Sequence, residues 1–377
     1  MSDPARPQPA SSVTYAHTGV DVEGERHALA GLIAWVRKTQ ALRPAGSVGH
    51  MALDVGYFAS VVELPGGVGL AVSADGVGTK LLVAQLADRY DTVGIDLVAM
   101  NVNDLVCVGA EPIALLDYVA IERLDARMLE QIGKGLHDGA VEAGCVIAGG
   151  ELAQIGAMLK GAAPGRAFDL AAVAVGLVPL DAINVGQEVR PGDVVIGLAS
   201  SGIHSNGLSL ARGALLERAG LALTDPLPGD PATTVGQALL APTRIYVKPA
   251  LALLRDPAAR VTALTNITGG GFRNLARVKA PVGFVLDALP PVPPVFRAIQ
   301  AAGQVAPADM YHAYNMGVGF CVTVRPEGAA RALELTRQRG VEAWPIGRAV
   351  ASDERRISLP QVGLEFSHRE GFKEARP

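Results

Sequence analysis

Asp75 opens the segment Asp75-Gly76-Val77-Gly78-Thr79-Lys80, placed directly after the apolar run Val68 to Ser73. Its two glycines let backbone N–H groups approach an anion, while Thr79 offers a hydroxyl, Lys80 a cation and Asp75 a hard oxygen suited to Mg2+. Spacing alone does not establish a phosphate site, because the segment is neither GxxxxGK[ST] nor GxGxxG, and a tight strand-to-helix turn explains the glycines equally well. A second candidate lies in Gly94 to Leu105, which reads as a helix with Val98, Val102 and Leu105 inward and Asn101 and Asp104 at i and i+3 on one side. Polar residues on a helix are usually its solvated face. Here Gly109-Ala110-Glu111-Pro112 stops the helix and feeds the apolar run Ile113 to Val119, which leaves Asp104 beside a sheet edge. A third is Ala148-Gly149-Gly150-Glu151, whose glycine pair lets a backbone come close to a ligand. Asp75, Asp104 and Glu151, if gathered, would repel one another unless a cation such as Mg2+ held them alongside nucleotide phosphates. Three unrelated surface acids is the competing reading, and spacing does not separate the two.

In the second half, Ser200-Ser201-Gly202-Ile203-His204-Ser205-Asn206-Gly207 follows the apolar run Val194 to Ala199. Small hydroxyls, a glycine and a following helix N-terminus make an anion site, with Ser201, Ser205 and Asn206 as donors and His204 as a proton carrier. A lone loop histidine is more often a hydrogen-bonded structural residue. Farther on, Ala241-Pro242-Thr243-Arg244-Ile245-Tyr246-Val247-Lys248 puts Arg244 and Lys248 four apart, able to share a helix face and hold a phosphate. Thr268-Gly269-Gly270-Gly271-Phe272 supplies a further glycine loop able to lie against a ribose phosphate.

These segments need elements to hold them. The apolar runs read as strands, joined by Leu170 to Val178, Val282 to Leu286 and Gly319 to Val324. Asp125 to Ala143 reads as a helix, with Leu129, Ile132, Leu136 and Ala140 on one stripe and Gly144 as its stop. Further helices fit Gly207 to Ala219 and Glu327 to Arg339. Irregular alternation of strands and helices favours an α+β plan over a Rossmann sheet. At 377 residues and 49% apolar composition, the chain suits two domains. The Pro/Gly-bearing stretch Pro179 to Gly192 is the expected boundary, cut near Ile183, with residues 1–12 as a disordered tail. Leu223 to Thr234 reads as a surface loop.

Composition narrows the function. A formal charge of -4 excludes a basic nucleic-acid footprint. The N-terminal stretch has no apolar h-region, and no charge-free run is long enough to span a membrane. Cys107, Cys145 and Cys321 lack CxxC spacing and sit in apolar contexts, as buried thiols of a cytoplasmic protein do.

Taken in order, the motifs resemble the aminoimidazole ribonucleotide synthetases, that is, the phosphoribosylformylglycinamidine cyclo-ligases, from about Tyr15 to Ile357. The resemblance is carried by Tyr15 with Gly19-Val20-Asp21, DGVGTK at 75 to 80, GIDLVAM at 94 to 100, VNDL at 102 to 105, GAEP at 109 to 112 and LDY at 116 to 118. It continues through HSNG at 204 to 207, APTRIYVK at 241 to 248, TGGGF at 268 to 272 and GVGF at 317 to 320. Two segments depart. Leu152 and Gln154 stand where the family often has Thr and a second Glu, and the family's GGFGG loop is replaced around Ser47 to Met51 and Gly56-Tyr57-Phe58.

The resemblance implies an N-terminal domain (13–182) with a four-stranded sheet that pairs with its twin in a homodimer to form a β-barrel. It implies a C-terminal domain (183–377) in which helices cover a mixed sheet. ATP and Mg2+ are the implied cofactors, with Asp75, Asp104 and Glu151 on the metal. Gly76, Gly78, Thr79 and Lys80 would lie near the phosphates, together with Asn101, Gly149 and Gly150, and Lys38 would reach the nucleotide from a mobile N-terminal segment. Ser201, His204, Ser205, Asn206, Thr243, Arg244, Lys248 and Gly269 to Gly271 would face the substrate. The implied catalytic residues are His204, Lys80 and Asp104.

The implied reaction activates the formyl amide oxygen of formylglycinamidine ribonucleotide by phosphorylation, then closes the imidazole ring. Rival readings are a thiamine phosphate kinase, which HSNG and APTRIYVK in this order speak against, and a silent nucleotide-binding paralogue motivated by the altered segment after Glu151. A selenophosphate synthetase would want a reactive Cys near the N-terminus, and the hydrogenase maturation relative ends in a functional cysteine. The first cysteine here is Cys107, and the sequence ends Glu374-Ala375-Arg376-Pro377.

Overall fold

The computed structural model describes residues 22–367 and 371–374, with side chains from 28 to 367. Tyr15, Gly19 to Asp21 and the expected N-terminal tail lie outside the described residues. The first half carries helices α1 (Val22–Lys38), α2 (Lys80–Ala87), α3 (Val93–Cys107) and α4 (Ala126–Ala143). Its strands are β1 (Met51–Leu53), β2 (Ser60–Leu64), β3 (Val68–Gly76), β4 (Glu111–Ile121), β5 (Val146–Gln154) and β6 (Phe168–Pro179), in one mixed sheet of order β1-β2-β3-β6-β4-β5. Six strands replace the expected four. The additions are the short strands β1 and β2: β1 pairs with β2, β2 joins β3 through the Gly66-Gly67 turn, and neither carries an apolar run long enough to read as a strand.

Along β6 burial alternates without a break from Phe168 to Pro179, as a half-covered strand requires. Leu170, Ala172, Ala174 and Val178 face inward beneath α3, on which α4 packs in turn. The other face is uncovered in the single chain, leaving Leu116, Tyr118, Val173 and Leu177 exposed. The sheet does not close into a barrel. Helix α4 starts on Asp125, whose side chain accepts a hydrogen bond from Met128 N, and stops at left-handed Gly144. Helix α3 is apolar almost all round and correspondingly buried.

The second half carries β7 (Val194–Ala199), α5 (Leu208–Arg212), β8 (Pro226–Leu227), β9 (Asp230–Thr234), α6 (Val235–Leu240), α7 (Val247–Arg255), β10 (Val261–Asn266) and β11 (Val282–Val285). There follow α8 (Pro294–Gly303), α9 (Pro307–Ala313), β12 (Val318–Val324), α10 (Ala329–Gln338), β13 (Ala343–Ala351), β14 (Ile357–Leu359), β15 (Leu364–Ser367) and β16 (Gly371–Glu374). Eight of these strands form a mixed sheet of order β10-β12-β7-β13-β11-β14-β15-β16. Strand β12 is buried at every residue between β10 and β7. The chain changes sheets between Pro179 and Val194, the stretch that holds Ile183.

Two expected elements come out differently. The helix over 207–219 is a short α-turn continued as a π-helix from Gly213 to Arg218, and the loop over 223–234 contains the β8–β9 hairpin. No helix among the described residues is long and apolar enough to cross a membrane. The described cysteines are free, Cys107 and Cys321 buried and Cys145 partly so.

Candidate active site

Several of the expected site residues collect along the seam between the two sheets. Strand β3 brings Asp75 opposite Ala172 of β6, which lies opposite Asp117 of β4, which in turn pairs with Gly150 of β5. Residues in register share a face, so Asp75 and Asp117 both project on the helix side of the sheet. A Cβ at Gly150 would lie 2.6 Å from Asp117 Cγ, so only glycine fits beside that carboxylate. Gly149 precedes it on the same exposed edge strand.

Glu151 pairs with Tyr118 and therefore projects on the opposite, uncovered face. Within one chain it is not brought to Asp75 and Asp104, which corrects the expected three-carboxylate set. The cause is the irregularity between Leu115 and Leu116, where Ala148 is skipped in the pairing. One residue of slip exchanges the faces of everything after it.

Asn101, fully buried on α3, holds the main chain of Asp75 from both sides. Its Oδ1 accepts from Asp75 N at 3.0 Å, and its Nδ2 donates to Asp75 O at 3.2 Å and Leu97 O at 2.9 Å. The Asp75 carboxylate is open to solvent, with one oxygen accepting from Gly76 N at 2.7 Å. Surrounding protein raises its pKa above the ordinary value against that bond. Asp104, one turn of α3 further on, accepts a hydrogen bond from Asn266 Nδ2 of β10 at 2.8 Å. Burial pushes its pKa up to about 7, the Asn266 bond opposes this, and the nearby Asp75 charge adds to it. Asp75 and Asp104 are thus close enough for the charge of one to act on the other. Burial raises the Asp117 pKa as well.

Gly78 and Thr79 are exposed at the start of α2, and Thr79 Oγ1 lies 3.1 Å from Ser209 Oγ across the seam. Lys80, expected at the phosphates, is instead fully buried. Its Nζ lies 2.8 Å from both carboxylate oxygens of Asp96, which is equally buried, and donates to Ala241 O at 2.6 Å. That ammonium is committed to protein partners and does not face the seam as a free cation. Burial lowers its pKa and the Asp96 charge opposes the fall. Lys38, at the end of α1, is exposed, with its ammonium 3.5 Å from the centre of the Trp35 ring. No described hydrogen bond or ion pair ties it to the seam.

On the other side, His204 is buried with φ +65, a strained value outside glycine. Its Nε2 accepts from Ser201 N at 3.3 Å, which assigns the ring proton to Nδ1. Burial lowers its pKa to about 3, helped by the charges of Lys80 and Arg244. An imidazole held neutral in this way is a poor proton carrier near neutral pH, and the geometry supports a loop-shaping role better. Ser201 Oγ donates to Pro242 O at 2.6 Å, and Ser205 Oγ lies 3.2 Å from Thr243 Oγ1. Asn206 lies against Gly269, with its Oδ1 3.1 Å from where a Gly269 Cβ would sit. Gly270 and Gly271 both have positive φ, and a Cβ at Gly271 would come within 2.1 Å of Tyr311 O. The HSNG and TGGGF loops are therefore neighbours facing Asp104 through Asn266.

Arg244 is partly buried, with its Nε enclosed and without a hydrogen-bond partner. Lys248 is exposed and lines a separate surface cavity of about 460 Å3 with Gly144, Leu251, Arg255, Leu335 and Arg339. Arg244 and Lys248 do not share a helix face, because the chain enters α7 only at Val247 and Arg244 lies in the stretch before it, yet both charges act on Glu142 and oppose the rise that burial gives its pKa.

Asp96, Asn103, Asp117 and Asn266 were given no role from sequence. A signal existed for two of them. Asp96 and Asn103 are seven apart in a mostly apolar helix, so they share one buried face.

Among the described residues no group of three or more His, Cys, Asp or Glu could hold a metal ion unaided. Asp75 and Asp104 nevertheless suit Mg2+, which commonly takes one or two carboxylates together with substrate phosphates. Both are hard oxygen donors with raised proton affinity, a state that a divalent cation would reverse.

Two sheets of this kind, joined across such a seam, define the AIR synthase related proteins. The N-terminal domain model of that family matches residues 56–178 and the C-terminal model residues 190–359. The relatives are more specific. A phosphoribosylformylglycinamidine cyclo-ligase of Methanocaldococcus jannaschii is 44% identical over 341 residues, 90% of this chain and 93% of its own. That of Methanothermobacter thermautotrophicus is 46% identical over 335 residues, 89% and 94%. This chain belongs to the phosphoribosylformylglycinamidine cyclo-ligase family. Among solved structures, a hydrogenase maturation protein HypE in complex with ATP is similar with a TM-score of 0.58 at 19% identity, covering 84% of this chain and 87% of that one. A thiamine-monophosphate kinase from Stenotrophomonas maltophilia gives 0.57 at 19% identity, covering 85% and 93%. Both likenesses concern the fold.

Proposed function

We propose that the chain converts formylglycinamidine ribonucleotide to 5-aminoimidazole ribonucleotide with ATP, releasing ADP and phosphate. One observation carries this reading: relatives of that name match about nine tenths of the chain, across both domains. The formyl group is an amide whose carbonyl oxygen is a poor leaving group at neutral pH. Transfer of the γ-phosphoryl group to that oxygen, with ADP leaving, makes it expellable. The ribose-bearing amidine nitrogen then attacks the same carbon, a proton leaves the nitrogen, and phosphate departs as the ring closes.

In this reading residues 13–182 hold the nucleotide and residues 183–377 face the acceptor substrate. Asp75 and Asp104 would hold Mg2+, which when bound neutralises charge on the nucleotide phosphates. Asn101 fixes the main chain that presents Asp75. Gly78 and Thr79 would offer main-chain N–H groups to phosphate oxygens, with Gly76 holding the Asp75 carboxylate beside them, and the HSNG and TGGGF loops with Arg244 would supply the acceptor side. Catalysis is then chiefly positioning and charge neutralisation. The uncovered apolar face of the first sheet supports a homodimer formed sheet to sheet, with Glu151 at that interface. Free, mostly buried thiols suit a cytoplasmic enzyme.

The test is ADP release by purified protein, with and without formylglycinamidine ribonucleotide. Release that depends on that substrate and yields the aminoimidazole is expected. Tight ATP binding with no substrate-dependent release would point to a silent paralogue, and phosphorylation of thiamine phosphate to a kinase.

A further inference from the structure

The stretch from Ala241 to Tyr246, between α6 and α7, is neither helix nor strand, yet much of its backbone is buried. Such a segment must find hydrogen-bond partners elsewhere. Ser201 Oγ of the same domain holds Pro242 O, and the other partners are side chains of the other domain. Lys80 Nζ donates to Ala241 O at 2.6 Å. Thr243 N and Thr243 Oγ1 both donate to Asp96 Oδ1, at 2.7 and 2.6 Å. Asn103 Nδ2 donates to Arg244 O at 2.8 Å, and Asn103 Oδ1 accepts from Tyr246 N at 2.8 Å. Lys80 and Asp96 are fully buried, Asn103 almost so. Four main-chain bonds from α2 and α3, with the Thr243 hydroxyl as a fifth contact, therefore do for this stretch what a neighbouring strand would do.

Arg244 is the one charged side chain in the braced stretch, and its enclosed Nε has no partner. Its main-chain carbonyl is held directly by Asn103, and the residue before it by Asp96. The same helix carries Asn101, which fixes Asp75, and Asp104, which meets Asn266. We propose that Asp96 and Asn103 are positioning residues that aim Arg244 at the phosphate of the acceptor substrate, α3 thereby setting acceptor against nucleotide. This rests on the function proposed above.

The experiment compares two double variants and one single. Lys80→Met/Asp96→Asn and Lys80→Met/Asp96→Ala both remove the buried ion pair, but only the first keeps an oxygen for Thr243. The second should show a KM for formylglycinamidine ribonucleotide at least tenfold above the first, with KM for ATP within twofold between them. Asn103→Ala, which alters no charge, should raise the same KM at least tenfold and move kcat less. Equal acceptor KM in the two double variants, or an Asn103→Ala effect confined to kcat or to ATP, would overturn the proposal, since a purely structural brace predicts that outcome. Amide hydrogen exchange gives a readout that needs no turnover. Thr243 and Tyr246 should be strongly protected in the unsubstituted protein, and Tyr246 should lose at least tenfold of that protection in Asn103→Ala. Rapid exchange at both amides in the unsubstituted protein would sink the brace, whereas protection without any turnover would sink only the functional reading.

Discussion

Replacing Lys80 by Met separates the two roles that this lysine could have. In the folded chain its ammonium sits 2.8 Å from both oxygens of Asp96, with neither side chain exposed, and caps Ala241 O. Removing one partner of a buried pair leaves an uncompensated charge and costs about 3–5 kcal/mol. For a protein of this size that is a fall in melting temperature of about 5 °C. Thermal unfolding by circular dichroism should show that drop, while ADP affinity by calorimetry stays within about threefold because no nucleotide contact is removed. Lys80→Met/Asp96→Asn, which discharges both ends, should recover most of the lost stability. A Lys80→Met protein that melts with the unsubstituted one but binds ADP tenfold more weakly would refute this reasoning and return Lys80 to the phosphates.

Asp104 makes stability depend on pH. Its folded pKa of about 7 lies above the ordinary 3.8, so the native state holds an extra proton between those values. That stabilisation is complete below about pH 4 and is lost as pH rises through 7. Asp104→Asn, neutral throughout and still able to accept from Asn266, should therefore gain more in melting temperature over the unsubstituted protein at pH 8 than at pH 5. An equal gain at both pH values would contradict the assignment. On the uncovered face, Leu116→Glu should turn a dimer into a folded monomer by light scattering and remove most turnover, whereas an unchanged mass would show that the face pairs with nothing.

The elements that rest on local rules were legible in the sequence. Helix α4 announced its stripe and both ends, and β3, β4, β6, β7 and β12 their apolar runs. Asp75, Asn101 and Asp104 stand out in the sequence because a strand end and a helix end supply their own punctuation, and the fold brings the three near one another. Glu151 was misplaced because its face depends on one skipped residue in the pairing of β4 with β5, which no glycine pair announces. Lys80 was misread for a similar reason. In sequence it completes a glycine turn, and only the packing of α3 against α2 and the second domain gives it Asp96. His204 follows the same pattern: a loop histidine looks available until its burial and the Ser201 N–H are seen.

Helix α3 sends Asp96 and Asn103 toward residues 241–246, Asn101 toward Asp75 and Asp104 toward Asn266. Successive residues of an α-helix turn by about 100°, so inserting or deleting one residue between Asp96 and Asn101 would swing every later side chain away from its partner. Lengthening of the chain should accordingly be tolerated in the β8–β9 hairpin and refused in α3, where angular phase rather than bulk or charge is the quantity that must be kept.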